Sequence, residues 1–118
     1  LETVAVRERA SGATESIPAD GLFIMIGAEP RTDWLPERVG RDRYGFVIAG
    51  SAAQGDPRWP LARSPYPYES TLPGVFAVGD VRSGSVKRVA SAVGEGSVVV
   101  SQLHEFFKER PAARSTHD

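Results

Sequence analysis

The chain has 118 residues, 41% of them hydrophobic, with 14 basic against 15 acidic side chains, a net charge of -1 and no cysteine. That length supports one modest domain with a thin core, and the near balance of charge argues against nucleic acid or an anionic membrane surface as partner. Without cysteine there is no disulfide framework, thiolate zinc site or redox dithiol in this stretch; no apolar run approaches the ~20 residues of a bilayer span, and the first residues lack the basic start and apolar centre of a signal peptide.

The chain opens on Leu1, and residues 3–9 (TVAVRER) already alternate as a strand does, with Val4 and Val6 on one face. An opening inside a strand suggests a piece of something longer. Ser11 and Gly12 supply turn chemistry, and residues 14–17 return as a second strand. Two strands alone are marginal in water, so this hairpin needs a surface to rest on.

Three apolar runs follow in one format: LFIMI at 22–26, FVIA at 46–49 and VFAV at 75–78, each flanked by glycine. Continuous apolar character predicts strands covered on both faces, the inner strands of a layered α/β domain. Between the last two runs, residues 56–73 hold Pro57, Pro60, Pro65, Pro67 and Pro73, a spacing that neither helix nor interior strand survives. The expectation is an extended surface loop with polyproline character. Trp59, Tyr66 and Tyr68 either pin that loop down or face a partner.

After Ser85 the period changes. Val89, Ala92, Val93, Gly96, Val99, Val100, Leu103, Phe106 and Phe107 fall at i, i+3, i+4, i+7 spacing, which predicts a helix packed on a sheet, ended by Pro111 and followed by a disordered polar tail over residues 111–118. Gly94 and Gly96 cost that helix about 1 kcal/mol each relative to Ala. Close approach of a sheet, another helix or a flat ligand offsets such a cost, and so does plain helix-on-sheet packing.

The chemistry concentrates at the junction between the last strand and this helix. A buried strand ending in Gly79-Asp80 places a carboxylate at the carboxyl edge of a sheet, where ligands of open α/β folds collect. A helix starting near Ser85 or Val86 adds unpaired N–H groups and a positive dipole end. Acids usually occupy a first turn, whereas here Lys87 and Arg88 stand there, an arrangement suited to a ligand that brings its own negative charge. The plainer alternative makes Asp80 a turn or capping residue and the basic pair solvated. Ser83, Gly84 and Ser85 do not make a phosphate loop, since no G-x-x-x-x-G-K-[ST] is present. His104 has no second His or acid at metal spacing and reads as a surface histidine. Glu29 and Arg31 read as solvated charges.

The stretch STLPGVFAVGDV followed by VKRVASAVGEG resembles the second flavin-binding signature of the pyridine nucleotide-disulfide oxidoreductase superfamily, in particular its thioredoxin reductase-like branch. Upstream, DGLFIMIGAEPRTDWL is similar to the crossover that leaves the NADPH-binding domain and re-enters the FAD domain in that branch, with Gly27, Pro30 and Thr32 matching its motif. The resemblance implies an α/β fold in which residues 22–110 are the C-terminal part of a Rossmann-like, three-layer FAD-binding domain. Residues 1–21 would be the closing hairpin of the adjoining NADPH domain.

It further implies that Asp80 accepts hydrogen bonds from the ribityl hydroxyls and linked phosphate region of FAD, with Gly79 leaving room for the ribityl chain. Lys87, Arg88 and Val89 would meet the pyrimidine edge of the isoalloxazine, the Val89 N–H donating to flavin O2. Amide donors at a helix amino end favour the negative charge of a reduced flavin near N1 and O2. The branch usually has Arg-Gln-Ala at these three positions, so main-chain contacts carry over more securely than side-chain ones. No metal site is expected.

The implied parent is a cytoplasmic homodimer passing hydride from NADPH to FAD and on to a disulfide or another acceptor. The glycine-rich cradle for the ADP half of FAD, the NADPH fingerprint and any reactive Cys pair are not in this stretch, so the piece alone is expected to be inactive. A non-catalytic FAD- or nucleotide-binding regulatory module and an assembly segment are the alternative readings.

Overall fold

The computed structural model describes residues 1–109; the expected tail at 111–118 lies outside the described residues. It comprises a hairpin, an open connecting segment and a largely irregular body with one long helix against it.

Strands β1 (Thr3–Arg7) and β2 (Thr14–Pro18) pair antiparallel, with Val4 opposite Ile17 and Val6 opposite Glu15. Backbone bonds from Glu8 N–H to Ala13 O and from Gly12 N–H to Glu8 O, both 2.9 Å, close the turn. Val4 alone among the strand residues is half-buried. Among the described residues no surface covers either face of the hairpin.

Residues 22–26 depart from expectation. The LFIMI run forms no strand, and its side chains are open to solvent, Phe23 by 89% and Ile26 by 91%. The physical reason is the lack of a neighbour: an extended segment becomes a strand only when another chain segment takes its N–H and C=O groups. The chain enters the body at Thr32, which is buried. Its Oγ1 donates to Gly45 O at 2.5 Å, and its carbonyl accepts from Arg41 Nη1 at 2.7 Å. Just before it, exposed Glu29 and Arg31 pair with each other at 3.1 Å.

In the body the FVIA and VFAV runs are interior but make isolated bridges rather than a continuous sheet. Val47 pairs parallel with Arg82 and antiparallel with Arg41, Ala49 with Ser70, and Phe76 with Glu69. The apolar centre is small: buried Val39, Val47 and Ala77, with Leu35, Leu72, Val75 and Val81 packed against them. The largest fully buried side chains also include Glu69, Ser70 and Thr71. A short helix α1 (Ser51–Gln54) follows Gly50, where a Cβ would lie 2.5 Å from Pro67 O, so only glycine fits.

The proline-rich stretch is irregular and tied to the body by its aromatic and charged side chains. Trp59 Nε1 donates to Arg63 O at 2.8 Å, Tyr66 Oη to Glu109 at 2.6 Å, and Tyr68 N–H to Gln102 Oε1 at 2.9 Å. Helix α2 (Val89–Glu109) supplies the last two of these acceptors. Among the described residues no helix is long and apolar enough to cross a membrane.

Candidate functional site

Residues Gly79–Val81 form a single 3₁₀ turn at the end of the VFAV run. Gly79 is buried with φ +74°, and a Cβ there would sit 3.2 Å from the Cβ of Ala92 in α2. A side chain is therefore opposed twice, by backbone strain and by the approaching helix. The glycine lets the end of the VFAV run and the helix meet. Asp80, next in line, is exposed, and among the described residues its carboxylate has no hydrogen-bond or ion-pair partner.

The helix begins at Val89, later than the expected Ser85 or Val86. A turn at Ser83 and Gly84 and irregular backbone to Arg88, whose N–H donates to Val86 O at 2.8 Å, use up the intervening chain. Lys87 and Arg88 therefore precede the helix rather than fill its first turn. Lys87 Nζ folds back to donate to Asp80 O at 3.0 Å and to Ser85 Oγ at 3.2 Å, and it lies 3.9 Å from the Phe46 ring centre. Arg88 is exposed, and its carbonyl accepts the Ala92 N–H at 3.0 Å. Val89 is 84% exposed. The N–H groups of Val89, Ala90 and Ser91 have no protein acceptor among the described residues, as the first turn of a helix dictates.

Five sequence-predicted positions thus fall in one neighbourhood: Gly79 and Asp80 on the turn, Lys87 bridging back to it, and Arg88 and Val89 where α2 starts. The arrangement offers one free carboxylate, an adjacent row of amide donors, an ammonium and a guanidinium. That set suits a ligand carrying both hydroxyls and negative charge. Among the described residues no sheet or second helix approaches Gly94 or Gly96, since a Cβ on either would meet nothing within 4 Å. His104 is exposed, and among the described residues no group of three or more His, Cys, Asp or Glu could hold a metal.

Sequence reasoning passed over two buried carboxylates. Glu95, from α2, reaches under the 3₁₀ turn: Oε2 accepts the Gly79 N–H at 2.7 Å, and Oε1 accepts Arg82 Nη2 at 2.5 Å. The Arg82 guanidinium, outweighing partial burial and joined by the Gly79 N–H, holds the Glu95 carboxyl below its ordinary value. Glu69 is 0% exposed and takes bonds from Arg63 and from the Tyr66 and Gly74 N–H groups. Burial pushes its carboxyl up, but those donors together bring it below the ordinary value. The Arg63 guanidinium is further enclosed by the rings of Trp59, Tyr66 and Phe106. The available signal was Glu95 itself, an acid between two glycines and the one charged side chain between Val89 and Leu103.

No family model matches the chain. An alkyl hydroperoxide reductase component from Pseudomonas aeruginosa is 35% identical over 91 residues, 77% of this chain and 15% of that protein. Thioredoxin reductase from Coxiella burnetii is 34% identical over 94 residues, 80% of this chain and 26% of that protein. Among solved structures, thioredoxin reductase from Streptococcus pyogenes superposes with a TM-score of 0.59 at 22% identity, over 92% of this chain and 31% of that one. The structural likeness shows a partial α/β domain of the thioredoxin reductase fold. The chain spans less than a third of the length of these relatives.

Proposed function

The chain belongs to the pyridine nucleotide-disulfide oxidoreductase family, and from that membership we propose that it is the C-terminal flavin-binding segment of a thioredoxin reductase-like oxidoreductase. Residues 22–110 are read as part of the FAD domain and residues 1–21 as the end of the NADPH domain. The parent takes hydride from NADPH and delivers electrons to a disulfide or another acceptor, the bound FAD supplying the two-electron relay between them.

The observation that carries this reading is the unpartnered Asp80 carboxylate beside the free N–H groups of α2. Asp80 would hold sugar-chain hydroxyls of FAD, and the Val89 N–H would meet the pyrimidine edge of its ring. Lys87 and Arg88 bring positive charge to the same edge, favouring the reduced, anionic form. The donor set fits the group.

A second support comes from surfaces left uncovered. The LFIMI run and the α2 face bearing Val89, Val93, Val100 and Phe107 are exposed, and apolar areas of that extent mark places where further chain packs. The rest of the parent would supply the flanking strands. Alone, the segment lacks the other half of the cofactor site and is expected to be inactive.

The test is spectroscopic. The full-length protein should be yellow, and NADPH added without oxygen should bleach its visible absorption. A colourless protein that takes up no FAD would contradict the proposal. FAD retained without any NADPH oxidation would instead favour a regulatory flavin module.

A further inference from the structure

Asp80 can face a cofactor only while the turn that carries it keeps its shape, and Gly79 is held at φ +74° within that turn. Val47 N–H holds Val81 O at 2.9 Å and Lys87 Nζ holds Asp80 O at 3.0 Å, but the grip on Gly79 itself comes from a carboxylate. Glu95 Oε2 accepts the Gly79 N–H at 2.7 Å and Arg82 Nε at 3.1 Å, while its Oε1 accepts Arg82 Nη2 at 2.5 Å. The Arg82 N–H returns to Gly79 O at 3.1 Å and closes the loop of contacts. Both ends of the Asp80 turn are thereby fastened to one point on α2, the same helix whose amino end completes the site.

Burying this acid between Gly94 and Gly96 is a poor way to stabilise a helix on the body, because a buried ion pair gains little over well-packed apolar side chains. What the carboxylate adds is direction, since it fixes where the Gly79 N–H points and so where Asp80 projects. We infer that Glu95 is a positioning residue for flavin binding, acting through Gly79 on Asp80, with Arg82 orienting its carboxylate. The inference rests on the flavin reading of Asp80 given above.

The test measures FAD affinity of the full-length apoprotein by flavin fluorescence, together with its thermal midpoint. Asp80→Ala serves as the control for the site itself. Glu95→Met keeps the volume but removes the acceptor and is expected to weaken FAD by about tenfold, as loss of a charge-assisted hydrogen bond does. Glu95→Gln retains an oxygen for the Gly79 N–H and should restore affinity to within about threefold of the parent, on the same scale. If Glu95→Met does not fold, Glu95→Asp takes its place: the shorter acid cannot reach Gly79 and should bind FAD more weakly than the Gln variant. Loss of FAD in Asp80→Ala with unchanged affinity in Glu95→Met, or equal affinity in the Gln and Asp variants, would overturn the positioning role and leave the flavin site standing. Unchanged FAD in Asp80→Ala would overturn the site and the inference with it.

Discussion

The LFIMI run lies open to solvent, whereas Val47 of the FVIA run is buried at 3% exposure. The two segments are equally apolar and differ in what lies alongside. Val47 N–H reaches Val81 O at 2.9 Å, and Val47 O accepts the Ser83 N–H at 2.8 Å, so its backbone is satisfied within the chain. Among the described residues, 22–26 have no such neighbour. Apolar character says that a segment wants cover, and the surrounding chain decides whether cover exists.

The body differs from the N-terminal region in a second way, because it is held by buried polar side chains as much as by apolar ones. The sharpest way to break this contrast is Glu69→Ala. It takes the buried carboxylate away from the Arg63 guanidinium, which keeps only its ion pair with Glu109 at 2.8 Å, and orphans the Tyr66 and Gly74 N–H groups, at an expected cost of about 3 to 5 kcal/mol. Urea unfolding followed by Trp59 fluorescence would read it, and a cost under about 1 kcal/mol would show the network to be ornamental.

Thr71→Val comes next. The buried Thr71 Oγ1 donates to Arg38 O at 2.7 Å and accepts the Gly40 N–H at 2.6 Å. Losing both should cost about 1 to 3 kcal/mol by the same measurement.

Acid should then act selectively on the body. Glu69 and Glu95 have folded pKa values below the ordinary 4.5, so their contribution is complete above that pH and is lost as pH falls through it and on through the folded values. The thermal midpoint should be flat from neutral pH down to about 5 and decline below it, less steeply in Glu95→Gln. The smallest effect belongs to the open segment. Phe23→Ala in the isolated chain should change stability by no more than about 0.5 kcal/mol, and a larger loss would mean that the run is covered in solution.

Much of this was legible in the sequence, for identifiable reasons. The stripe from Val89 to Phe107 gave α2 because a helix needs only its own backbone to form, and alternation in residues 3–7 gave β1 because its partner lies a few residues away. Gly79-Asp80 stood out as a strand end with a special backbone position. The pattern puts the helix start too early because Lys87 fits a first turn as readily as the irregular approach to one, and its contact with Asp80 O is tertiary. Glu69 and Glu95 were invisible as interior residues, since acids default to solvent and their Arg63 and Arg82 partners sit 6 and 13 residues away.

One determination reaches the core of the account: the FAD content of the full-length protein purified with Asp80→Ala, set beside the unaltered protein. The variant should fold with the same thermal midpoint in its apo form and retain clearly less flavin, through an affinity loss of at least about tenfold. Full flavin occupancy in the variant would contradict the claim that the acid after Gly79 and the amino end of α2 hold one cofactor between them.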